Sequence, residues 1–116
     1  MSALTPAPRT ACYVRVAAIA QDDRQAVETQ ADVLRRYCDE HGLTVTGIYA
    51  DAGISGLTAL EDRPEGRRLL DHAESGAFDL VLVQRADRLA RAQTALRSAH
   101  DRLERAGVEV RSATES

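Results

Sequence analysis

The stretch Phe78–Gln84, FDLVLVQ, decides how the rest of the chain is read. Leu80 to Val83 is an uninterrupted apolar run of strand length, with charge on either side at Asp79 and Arg85. A strand that is apolar on both faces must be covered on both. It is therefore expected at the centre of a parallel sheet, between layers of helix.

The flanking segments supply those layers. Downstream, RADRLARAQTALRSAHDRLERAG predicts a polar turn and a helix, and VEVRSA predicts a further strand. Upstream, the glycines and proline of DAGISGLTALEDRPEG mark a loop, followed by a helix from about Pro64 to Ser75 that Gly76 closes. LTVTGIYA alternates as a strand. DDRQAVETQADVLRRYCDEHG predicts a long amphipathic helix with Ala26, Val27, Ala31, Val33, Leu34, Tyr37 and Cys38 near one face, ended by Gly42. ACYVRVAA predicts a buried first strand, and residues 1–10, with Pro6 and Pro8, a flexible leader. Helices between successive strands call for right-handed crossovers. The expected class is a three-layer α/β fold with a mostly parallel sheet of four to five strands, in one domain from residue 11 to 116.

Composition narrows the functional classes. Three Tyr, one Phe and no Trp leave an aliphatic core, as parallel strands under helices require. The net charge of −3 excludes nucleic-acid binding driven by overall charge, so any anion site has to be local. Cys12 and Cys38 have no metal-type spacing and read as buried free thiols in a reducing compartment. No run reaches transmembrane length, and MSALTPAPRTA lacks the apolar centre of a secretion signal. A cytoplasmic protein without membrane contact is expected.

One residue conflicts with this apolar pattern: Arg15 lies inside the run YVRVAA. A desolvated guanidinium is costly unless a partner meets it. Sites in such sheets form outside the carboxyl ends of the strands. Period-two geometry puts Tyr13, Arg15 and Ala17 on one side of the first strand, with Ala17 at its exit. Arg85, Asp87, Arg88 and Arg91 follow the third strand, and Arg63 lies on the loop after the second. Arg88 and Arg91, three apart, are expected on one helical turn, with Asp87 capping it or orienting a guanidinium. Guanidiniums gathered there repel one another unless an anion sits among them, and phosphate suits their planar forks. The loop is expected to hold Arg63 away until an anion binds.

Read together, YVRV, Gln30, YCDEHG, YADAGISG, EDRPEGRRLL, FDLVLVQRADRLAR and LERAGVEVRSATE resemble, in order, the catalytic domain of the serine recombinases, the resolvase and invertase family. The resemblance spans about residues 11 to 115. It implies transfer of a DNA phosphodiester to a serine hydroxyl, with no metal or other cofactor, and strand exchange within a tetramer. It also implies the strand order 2-1-3-4. Arg15, Arg63, Arg88 and Arg91 match the family's phosphate-handling arginines, and Gln30, Asp51, Ser55 and Asp87 its supporting positions. At the place of the nucleophilic serine stands Ala17, followed by Ala18. A methyl group cannot attack phosphorus. The family's long C-terminal helix and DNA-binding domain have no counterpart before Ser116. The expectation is a domain unable to cleave DNA, binding it weakly and associating with itself or with other recombinase domains. The alternatives are a module that modulates an intact recombinase, or an active domain with a substitute nucleophile such as Ser55.

Overall fold

The four apolar segments form four strands, and each connection between them carries a helix. The computed structural model describes residues 7–16 and 23–114. Along the chain run β1 (Arg9–Val16), α1 (Asp23–His41), β2 (Thr44–Ala52), α2 (Pro64–Glu74), β3 (Leu80–Val83), α3 (Gln93–Arg105) and β4 (Glu109–Ser112). The sheet order is β2-β1-β3-β4 and every pairing is parallel. This is the expected α/β class and the expected order.

Alternation along the strands divides the core in two. Ala11, Tyr13, Tyr49, Val81 and Val83 face α2 and α3, where Leu69, Leu70, Ala73, Ala99 and Leu103 close over them. Cys12, Val14 and Leu82 face α1 and meet Ala31, Leu34 and Cys38. Each fully buried leucine among them contributes ~1.5–3 kcal/mol. α1 ends at His41 because Gly42 takes φ 67°, a left-handed value that favours glycine. Among the described residues no helix is long and apolar enough to cross a membrane.

β1 starts at Arg9, two residues before the expected residue 11. The Arg9 backbone N–H donates to Asp79 Oδ2 at 2.9 Å, and its guanidinium pairs with Oδ1 at 3.0 Å. Thr44 N–H donates to the carbonyl of Pro8. These contacts from distant segments recruit residues 8–10 into the sheet.

Both thiols are fully buried. Burial first, then the neighbouring Cys38, pushes the Cys12 thiol up to about 12, and burial also raises Cys38. A thiolate is the reactive species. Native protein at pH 8 is therefore expected to resist a chromogenic disulfide reagent that titrates two thiols per chain in denaturant. Rapid labelling of the native chain would contradict this packing.

Candidate oxyanion site

In register, Arg15 on β1 lies opposite Asp51 on β2, and Tyr13 opposite Tyr49. All four project toward α2 and α3, so the site lies on that side of the sheet, at its carboxyl edge. β1 continues past its last pairing with β3, Tyr13 with Val83. There the Gln30 carboxamide from α1 takes over: Oε1 accepts from Arg15 N–H at 3.4 Å, and Nε2 donates to the Arg15 carbonyl at 3.5 Å. Gln30 thus steadies the strand end from the opposite face.

The guanidiniums of Arg15 and Arg63 are held mainly by carbonyl oxygens. Arg15 donates from Nη1 to Ile54 O (3.1 Å) and from Nη2 to Asp87 O (3.2 Å). Arg63 donates from Nε to Thr58 O (3.0 Å), from Nη1 to Arg88 O (2.6 Å) and Tyr13 Oη (3.1 Å), and from Nη2 to Gly56 O (3.4 Å). Among the described residues none of Arg15, Arg63, Arg88 and Arg91 makes an ion pair with a carboxylate. Carbonyl dipoles orient a guanidinium without cancelling its charge, and the Asp87 carboxylate attracts Arg15 without forming an ion pair with it. Burial, then Arg63 and Arg88, lowers the Arg15 pKa, a sign of concentrated like charge.

Arg63 departs most from expectation. It is among the largest fully buried side chains of the described residues, at 0% exposure, and is fixed in place. EDRPEG reads locally as a loop, but Arg63 occupies the cap position of α2, ahead of Pro64, and points inward. Four acceptors from three segments satisfy it. It braces the cluster from within.

Arg88 and Arg91 do not share a regular helical turn. A short 3-10 turn covers Ala86–Arg88, and α3 starts only at Gln93. Leu89 and Ala90 are buried and draw the backbone onto the core, which interrupts the helix between the two arginines. Arg88 is half-buried and Arg91 exposed, with Arg91 N–H bound to Gly56 O at 3.2 Å. Nor does a side chain cap the turn: among the described residues Asp87 Oδ1 is buried without a hydrogen-bond partner, as are Nε of Arg15 and Nε of Arg88. Asp87 orients Arg15 through its carbonyl instead.

The supporting residues divide. Asp51, buried, accepts from Tyr13 Oη at 2.7 Å and from the Glu65 and Gly66 N–H groups at 2.9 and 3.0 Å. It thereby caps α2 from a neighbouring strand. Burial pushes the Tyr13 hydroxyl up; the Arg63 hydrogen bond opposes this and the Asp51 bond adds to it. Tyr13 remains a donor. Ser55 is exposed, and its Oγ accepts from Leu57 N–H at 3.0 Å, stabilising its own turn. Ala17 lies outside the described residues.

Two roles escaped the sequence reading: that of Tyr13, which links Asp51 to Arg63, and that of Gly56, read there only as a loop glycine, whose carbonyl serves both Arg63 and Arg91. Tyr13 had a signal, since alternation places it on the side of Arg15. The carbonyls of residues 54, 56 and 58 had none, because backbone groups carry no residue identity.

A family model, the resolvase N-terminal domain, matches residues 10–116. The chain belongs to the serine recombinase family. Members of that family act on DNA in site-specific recombination. Among solved structures, the domain is similar to the N-terminal catalytic domain of TP901-1 integrase: 34% identity, TM-score 0.77, covering 93% of this chain and 78% of that one. It is also similar to the C-terminal catalytic domain of ISC1926 TnpA, an IS607-like serine recombinase, at 25% identity, TM-score 0.80, 93% and 71% coverage. A resolvase family site-specific recombinase from Streptococcus pneumoniae, at 23% identity, TM-score 0.76, 91% and 72% coverage, shares the fold. No curated protein sequence gives a significant match.

Proposed function

We propose that this recombinase-family domain binds a DNA phosphodiester at the edge carrying Arg15, Arg88 and Arg91, and does not cleave it. The observation that carries this reading is that the guanidinium of Arg15, oriented by the Ile54 and Asp87 carbonyls, and those of Arg88 and Arg91 make no ion pair with a carboxylate among the described residues. Such an arrangement keeps its positive charge for an incoming oxyanion. Arg63, with its donors engaged internally, supports the set without contacting the ligand.

Ala17 supplies no oxygen at the position that matches the family's nucleophile. Ser55 is a poor substitute, because its hydroxyl holds the turn at Leu57. Residues 11–116 act on this reading as a resolvase-like catalytic domain lacking its covalent step. Binding to DNA is weak, since a chain of net charge −3 offers few phosphate contacts. Assembly with itself or with other recombinase domains, in the cytoplasm, belongs to the same proposal.

The test has two arms. Dimethyl phosphate or sulfate titrated into labelled protein is expected to shift the backbone resonances of Arg15 and of Asp87 to Arg91. Supercoiled plasmid incubated with the protein is expected to yield neither nicks nor a covalent protein–DNA adduct. An adduct would sink the inactive reading, and resonances unmoved by either anion would sink the binding one.

A further inference from the structure

Gly56 sits where the loop after β2 meets the turn after β3, and its φ lies outside the left-handed region. Its backbone therefore does not demand glycine. The space around it does. A Cβ built at Gly56 would lie 2.5 Å from Cγ of Arg91, closer still to its Cδ, and 2.9 Å from Nη2 of Arg15. That Nη2 is pinned to the Asp87 carbonyl and cannot simply move aside. The Gly56 carbonyl meanwhile accepts from Arg91 N–H and from Arg63 Nη2. Three of the four arginines thus contact this one residue.

We propose that Gly56 is a positioning residue that sets the separation of Arg15 and Arg91, and so the width of the oxyanion site. The proposal rests on reading the cluster as an anion site. The missing side chain lets the Arg91 stem, at Cγ and Cδ, cross the loop close to Nη2 of Arg15. With a methyl group there, the exposed Arg91 is free to swing outward, so the fold survives and the geometry does not. Displacements of this size at a charged site are costly in affinity.

The experiment compares the full chain with Gly56→Ala, Arg91→Ala and the double variant, using arginine Nε–Hε resonances without ligand and sulfate titration. Gly56→Ala is expected to move the Arg15 and Arg91 resonances and weaken sulfate roughly tenfold. Arg91→Ala weakens it as well, and the double variant is expected to be no weaker than the weaker single, because both act through one side chain. Unmoved resonances with sulfate affinity unchanged, or losses that multiply in the double variant, would overturn the proposal. A wild-type chain that takes up no sulfate refutes the oxyanion reading, and the resonances then decide on Gly56 alone. Should Gly56→Ala fail to fold, recovery of the fold on adding Arg91→Ala supports the proposal and absence of recovery overturns it.

Discussion

Replacing Arg63 with alanine is expected to lower the unfolding free energy by about 3–5 kcal/mol, the range for removing one member of a buried charged network. The side chain has no exposure and donates to Tyr13 Oη and to the carbonyls of Gly56, Thr58 and Arg88. Its removal strands those acceptors in a cavity at the junction of β1, the loop after β2 and the turn after β3. Arg63→Met, which restores most of the volume, is expected to recover only part of the loss, since the oxygens stay unmet. Arg63→Lys keeps the charge, but an ammonium group cannot serve acceptors spread around a planar fork. Urea denaturation of the three variants measures this, with a fall in melting temperature of roughly 10–20 °C for alanine. A loss below about 1 kcal/mol would mean that water replaces the guanidinium, and that Arg63 is not the brace described.

The contrast between the sheet and Arg63 shows what was readable in the residues. FDLVLVQ and the alternation of strands with helices express local periodicity, and local periodicity is written in the sequence. The strand order came from the family resemblance. Grouping Arg15 with Arg88 and Arg91 followed from one rule, that sites gather at the carboxyl ends of parallel strands. The loop reading of Arg63 failed because its acceptors, three backbone carbonyls and the Tyr13 hydroxyl, are brought together by tertiary folding. The single-turn reading of Arg88 and Arg91 failed for a related reason: the burial of Leu89 and Ala90 outweighs helix continuation across them. Asp51 was legible as a supporting residue only through the resemblance. Its role as a cap depends on a helix whose first residue, Pro64, lies well beyond it in sequence.

Asp51→Ala is the second change expected to be severe, at about 3 kcal/mol, because three donors lose one charged acceptor. Two of them, Glu65 N–H and Gly66 N–H, belong to the first turn of α2. Arg63, at the cap position itself, makes no side-chain cap bond. The third donor is Tyr13 Oη, which in turn accepts from Arg63. The carboxylate therefore stabilises the positive end of α2 directly and the buried guanidinium at one remove. These two effects separate by substitution. Asp51→Asn keeps one acceptor oxygen and is expected to cost less than alanine, with one of the two α2 amides still protected from hydrogen exchange. Tyr13→Phe leaves the cap intact and breaks only the link to Arg63, so exchange at Glu65 and Gly66 is expected to stay slow while overall stability falls. Combined with Arg63→Ala, Asp51→Ala should be distinctly less harmful than the sum of the two, since each single change leaves the other's charge less compensated. Strict additivity, together with unchanged protection of Glu65 and Gly66 in Asp51→Ala, would rule out both the cap and the relay.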